Sequence, residues 1–324
     1  MIISKDILRA ITYGALDIRI EDEYYHFYRF NDAQMDYYRE KNSGFYLKSK
    51  ATAGVNLDFF TDSDNFGFDY KIESGSSRKF YHFDIYVDGI LVHHCGENPM
   101  WIMNGRVDVK IPEGEHQVTL WLPNLSSAML KNITLDDGAT VRPVGRKTTM
   151  ICWGDSITQG YDAIFPSLAY PNRLAKHFNA DMYNQAIGGE RFVPGILGTN
   201  LAVKPDIITI AYGTNDWSGR TREEFIEFAD KFLEGVAAEY PESKVFVITP
   251  IWRGDNARIT KFGAFTDACQ YVADKAQSLG FNVVDGVKLT PHYYEFYSDL
   301  RLHPNDLGFG EYTRNLIAEM EKVL

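Results

Sequence analysis

The chain is poor in cysteine, has no excess of positive charge and contains no long apolar run. Only three cysteines occur in 324 residues, Cys95, Cys152 and Cys269. An odd count leaves at least one unpaired, and their spacing resembles neither a zinc site nor a redox motif. Cys152 falls in a predicted core strand and Cys269 on a predicted helix, where a thiol serves as a small buried hydrophobe. His93 and His94 are adjacent, so on a strand they point to opposite faces and cannot readily share a metal. The sequence therefore implies no metal and no organic cofactor. A net charge of −11 argues against nucleic-acid phosphate and anionic lipid as partners. The acidic residues are dispersed, which suits solubility. No stretch approaches the roughly 18 apolar residues of a membrane span. Residues 1–16 lack an apolar core of signal-peptide length, so the expected location is the cytoplasm. Oligomeric state is not legible.

What is present divides near residue 145. Before it, apolar residues recur at every second position: Phe66, Phe68, Tyr70 and Ile72, then Val107, Val109 and Ile111, then Val118, Leu120 and Leu122. That is strand periodicity with one buried face. Asp88-Gly89 between two apolar runs is a hairpin turn. Many short strands without a long helical pattern predict an all-β sandwich of jelly-roll type over residues 1–145, with 142–146 as linker.

After it, strands and helices alternate. Strands are expected at 148–153, 181–184, 206–211, 244–249 and 281–284. Helices are expected near 166–178, 221–240, 260–279 and 307–323. The second of these opens on a Thr221/Glu224 capping box, carries Phe225, Phe228, Phe232 and Val236 as an apolar stripe, and stops at Pro241. This pattern predicts an α/β domain over residues 146–324, a three-layer, doubly wound parallel sheet covered on both faces.

The most informative run is Gly154-Asp155-Ser156-Ile157-Thr158-Gln159-Gly160. A serine at the end of a core strand, framed by glycines, is where a nucleophile would sit. The following helical turn can aim an N–H at developing negative charge. A serine hydroxyl needs a base, and His303 in Leu302-His303-Pro304-Asn305 is the candidate. Two further segments, Asn184-Gln185-Ala186-Ile187-Gly188-Gly189 and Gly213-Thr214-Asn215-Asp216, also follow predicted strands. In such sheets, sites lie at the carboxyl ends of the strands.

Serine, glycine, asparagine and histidine in this chain order resemble the SGNH (GDSL-type) hydrolase family over roughly residues 148–324. The resemblance implies an SGNH, flavodoxin-like sheet and a serine esterase. Ser156 would be the nucleophile and His303 the general base. Ser156 N–H, Gly189 N–H and Asn215 would form the oxyanion hole, with Gly188 the alternative to Gly189. The family's aspartate usually sits three residues before the histidine, where this chain has Leu300. Asp299, four residues before, reaches His303 only if one residue bulges out; otherwise a backbone carbonyl orients a Ser–His dyad. Asp306 is read as a turn or helix N-cap residue.

A β-sandwich joined to such a domain resembles two-domain carbohydrate esterases, which implies deacetylation of an O-acetylated oligosaccharide. Trp217, Trp252 and Arg253 follow predicted strands and are candidates for substrate binding, since aromatic faces suit sugar rings and arginine holds polar groups. The opposing reading packs each Trp into an interdomain surface, and makes Glu190 with Arg191 a surface ion pair. Two alternatives stand beside the short-chain esterase. One is a lysophospholipase, arylesterase or thioesterase-like hydrolase of longer acyl chains. The other is a non-catalytic carbohydrate-binding protein, favoured by the displaced Asp299 and the aromatic 24–30 segment.

Overall fold

The computed structural model describes all 324 residues. Its N-terminal part is built of β1 (Thr12–Tyr13), β2 (Asp17–Glu21), β3 (Tyr24–Tyr28), β4 (Asn56–Thr61), β5 (Asn65–Ser74) and β6 (Tyr81–Val87). Then come β7 (Ile90–Glu97), β8 (Asn104–Lys110), β9 (His116–Trp121), β10 (Ser126–Leu135) and β11 (Val141–Pro143). They form two antiparallel sheets, one in the order β1-β4-β9-β6-β7 with β11 on β4, the other β2-β3-β10-β5-β8. The alternating residues Phe66, Phe68, Ile72, Val107, Val118 and Leu120 meet between them in one core. The period of two found in the sequence is the geometric cause, because successive side chains leave opposite faces of a strand. Asp88 and Gly89 make the β6–β7 turn, both at positive φ, as a tight two-residue hairpin requires.

Two expectations fail in this part. The sequence read as helix-poor before residue 145, yet α1 (Lys5–Ile11), α2 (Asp32–Lys41) and α3 (Ser43–Ser49) are helical. The missed signal is local: Asn31 and Gln34 form a reciprocal capping box at the start of α2. Dense aromatics masked it, because Tyr and Phe are equally at home in strands. Phe30, Met35 and Tyr38 pack not into the sandwich but into the α/β core beside Trp153 and Phe192. The second failure is the linker. Residues Val141–Pro143 pair with β4, so the connection begins only after Pro143.

The remainder holds five parallel strands, β12 (Thr148–Gly154), β13 (Ala180–Asn184), β14 (Ile207–Ala211), β15 (Lys244–Ile248) and β16 (Asn282–Val284). Their order is β13-β12-β14-β15-β16. The chain steps from β12 to β13 on one side and returns to β14 on the other, so the order reverses at β12. Crevices for ligands open at such a switch point, beyond the carboxyl ends of the strands. The helices are α4 (Ser156–Gln159), α5 (Tyr170–His177), α6 (Thr214–Gly219), α7 (Arg222–Glu239), α8 (Phe265–Ser278) and α9 (Asp306–Met320). The expected α7 stripe holds at Phe225, Phe232 and Val236, whereas Phe228 is exposed under the Arg220 guanidinium. Helix α8 starts at Phe265, because Thr260 and Gly263 close a turn on each other first. The N-cap of α9 is Asn305, whose side chain accepts from Gly308 N–H. Asp306, read as a turn or helix N-cap residue, is instead the first residue of α9 and accepts from Ile164 N–H.

Candidate active site

Ser156 sits where β12 ends. Gly154 is required there, since a Cβ would fall 2.0 Å from Thr158 Oγ1. Asp155 caps the short α4 by accepting from Ile157 N–H at 3.0 Å, and Gly160 closes it in the left-handed conformation. Ser156 is the first helical residue, so its N–H has no intrahelical acceptor and remains available.

The histidine lies across from it. Ser156 Oγ and His303 Nε2 are 2.9 Å apart, and His303 Nδ1 is 2.8 Å from Asp299 Oδ2. The extra residue does bulge: Leu300 is exposed and sits at φ 54°. That left-handed turn lets Asp299 Oδ1 accept from the N–H groups of Arg301, Leu302 and His303. Partial burial opposes ionisation of Asp299. The bonds from His303 and the Leu302 N–H outweigh it and hold the carboxyl well below its usual range. An ionised Asp299 fixes the proton on Nδ1, which leaves the Nε2 lone pair facing the serine hydroxyl. Asp162 also approaches Nδ1, at 4.0 Å. It is bound at both oxygens by Arg78 from the β-rich part, at 2.5 and 2.8 Å.

The two glycines after β13 differ in what their N–H groups do. Gly188 N–H donates to Gln159 Oε1 at 2.7 Å, so it is already used. Gly189 N–H has no protein acceptor. Its φ of 86° is one that residues with a Cβ rarely adopt. Asn215 Nδ2 spans both loops, donating to Glu190 O at 2.9 Å and lying 3.3 Å from Asp155 Oδ2.

Three carboxyls lie beneath this surface. Burial pushes Asp155 up to about 7, Glu190 up to about 7 and Asp216 up to about 6. Glu190 is 6% exposed and accepts from Arg191 N–H, so it is no surface ion pair. A carboxyl whose folded pKa exceeds its unfolded value of about 4.3 stabilises the fold only while protonated. The contribution of these three groups is then fullest below pH 4 and is lost as pH rises through 6 to 7. The melting temperature is expected to drop between pH 5 and 7.5, and to drop less in Glu190→Gln, which keeps the acceptor. Parallel curves for the two proteins would refute this.

The substrate-binding candidates fare worse. Trp217 is fully buried, with its Nε1–H donating to Gly263 O at 3.1 Å and its ring against Phe265. It belongs to the hydrophobic core because α6 turns it inward. Arg253 is 3% exposed and bound to Asp255 and Thr214. It ties the loop after β15 to the turn carrying Asn215 and has no group free for a ligand. Trp252 is half-buried, stacked on His292 at 5.3 Å. Its loop abuts the His303 segment through Gly254 N–H to Arg301 O, 2.8 Å.

Several residues escaped sequence reading. Gln159 fixes the Gly188 peptide. Tyr161 stacks on His303 at 5.7 Å. Arg29 is fully buried and donates to Ala51, Asn184 and Ala186 carbonyls, and Lys48 to Gly188 O. Only Gln159 had a signal, its place inside the serine motif. The others reach the active-site segments across more than a hundred residues of chain, where no local pattern points to a partner.

Residues 152–309 match the model of the GDSL-like Lipase/Acylhydrolase family. No curated protein matches the chain. Among solved structures, the salicylyl-acyltransferase SsfX3 from a tetracycline biosynthetic pathway is similar at TM-score 0.83 and 21% identity, covering 96% of this chain and 94% of that one. A family two carbohydrate esterase from Clostridium thermocellum, in complex with cellohexaose, aligns at TM-score 0.61 and 18% identity over 84% and 93%. The acetyl xylan esterase Est2A from the rumen bacterium Butyrivibrio proteoclasticus aligns at 0.60 and 14%, over 83% and 90%. At these identities the likeness is one of fold.

Proposed function

We propose that this chain, whose residues 152–309 match the GDSL-like Lipase/Acylhydrolase model, is an ester hydrolase that removes short acyl groups, acetyl foremost, from a carbohydrate. The observation that carries the mechanism is the hydrogen-bonded line Ser156–His303–Asp299. Ser156 Oγ attacks the ester carbonyl while His303 Nε2 takes its proton, and Asp299 stabilises the imidazolium. The oxyanion is received by Ser156 N–H, Gly189 N–H and the Asn215 amide, whose long contact to Asp155 is the one to yield. His303 then protonates the leaving alcohol oxygen. Water attacks the acyl-enzyme, gives its proton to Nε2, and the serine is restored as the acid departs. The chain's own groups handle every proton in these steps.

The carbohydrate assignment is supported by the two-sheet sandwich preceding the domain and by the likeness in fold to a carbohydrate esterase and an acetyl xylan esterase. We retain residues 1–145 and 146–324 as the two domains, with the α2–α3 pair docked on the second. The likeness to an acyltransferase along nearly the whole chain favours a second reading, in which an alcohol replaces water as acceptor.

The test is kcat/KM on p-nitrophenyl acetate, butyrate and octanoate, followed by acetate release from acetylated xylan. A fall of at least about tenfold from acetate to octanoate is expected, since each methylene that a small pocket rejects counts for about 1–3 kcal/mol. Preference for octanoate would instead select the longer-chain hydrolase.

A further inference from the structure

A cleft of about 780 Å³ lies between the β4-β9-β6 face of the sandwich and helices α5 and α9. Its volume is in the range of small-molecule sites. None of Ser156, Gly189, Asn215 or His303 lines it. The lining includes four fixed cations, Arg146, Arg173, Lys176 and Arg314, against one carboxylate, Asp58. In a chain of net charge −11 this is a local reversal of sign.

Two of those cations are already neutralised, Arg146 by Asp58 at 2.5 Å and Arg314 by Glu311 at 2.5 Å. The other two are not. Neither Arg173 nor Lys176 has a carboxylate within 4 Å. One turn apart on α5, they share a face. The Arg173 guanidinium lies over Gly310 of α9, where a Cβ would come within 3.3 Å of it. Lys176 Nζ lies 5.4 Å from the centre of the Tyr86 ring. An arginine fork and an ammonium on one wall match the oxygens of a carboxylate or phosphate. Gln117 and Thr119 on the facing wall donate to Asp58, and Asn179 is bound to Arg146 and Gly145, which leaves Arg173 and Lys176 as the cleft's unpaired cations.

We infer that this cleft is a second, non-catalytic site that binds an anionic sugar, its carboxylate or phosphate held by Arg173 and Lys176. The sugar half of that statement rests on the proposed function; the anion half does not. A walled cleft concentrates the field of its charges, which an open surface would lose to solvent.

Calorimetric titration of the whole protein with glucuronate, glucose 6-phosphate and glucose tests it. The anionic sugars are expected to bind and glucose is not. Arg173→Ala with Lys176→Ala should weaken binding at least tenfold, with the melting temperature and p-nitrophenyl acetate hydrolysis unchanged. Binding of only one of the two anions supports the site and identifies its anion as carboxylate or phosphate. Inorganic phosphate binding as tightly as glucose 6-phosphate keeps the anion site and removes the sugar. No binding of any anion, equal binding of glucose, or undiminished binding by the double variant would overturn the inference. Loss of esterase activity in the parent would leave each of these outcomes readable, since the readout is heat of binding.

Discussion

Ser156→Ala is expected to lower kcat on p-nitrophenyl acetate by about 10⁵–10⁶ while leaving the fold intact. The magnitude follows from the unit in which the serine works: removing the nucleophile of a comparable triad abolishes nearly all that the triad contributes, leaving what the oxyanion hole and binding supply. The hydroxyl's hydrogen bond inside the site is the one to His303 Nε2, and Ser156 is 5% exposed at the head of a short helix. An alanine there favours the helix and leaves Asp155 as its cap. Stopped-assay rates on both proteins, with thermal melts, check this. Equal rates would dismiss Ser156 as nucleophile, and an inactive parent that still binds acetylated oligosaccharide would favour the non-catalytic reading.

The second large effect concerns the acid. Asp299→Asn is expected to cost about 10³–10⁴ in kcat, by analogy with a triad aspartate converted to its amide. Asparagine can still accept at Oδ1 from the N–H groups of Arg301, Leu302 and His303, so the bulge at Leu300 persists. What changes is the partner of Nδ1. An amide N–H placed there favours the tautomer with its proton on Nε2, the wrong nitrogen for accepting from serine. A loss below about tenfold would mean that another group orients His303. Asp162 is the one to suspect, at 4.0 Å from Nδ1, and Asp162→Asn in the Asp299→Asn background would then remove the remainder.

How far the sequence reached differs from residue to residue. Strand periodicity placed β12, β14 and β15 within a residue or two, because a buried parallel strand needs an unbroken apolar run. The glycines around Ser156 reported a sharp turn, since only glycine fits where Gly154 meets Thr158. The choice between Gly188 and Gly189 needed coordinates. Both belong to one motif, and what separates them is that Gln159, 29 positions away, occupies the Gly188 N–H. Trp217 and Arg253 were misread for the opposite reason. Position after a strand puts a residue near the site, but whether the side chain points out or in depends on packing by Phe265, Gly263 and Asp255, which no local pattern encodes.

Sequence alone therefore determined the chemistry-bearing types and their order, because strand, turn and cap signals are local and the motif residues sit at element ends. Tertiary structure decided three things. It brought Asp299 to His303 through the left-handed Leu300. It carried the α2–α3 pair and Arg78 from the N-terminal part onto the α/β domain. It opened a cationic cleft from α5 residues whose charges look ordinary in sequence. The first is a local turn whose partner, Ser156, lies 147 residues away; the other two depend on groups far apart along the chain meeting at a few ångströms, and their energies exist only once the intervening core has closed.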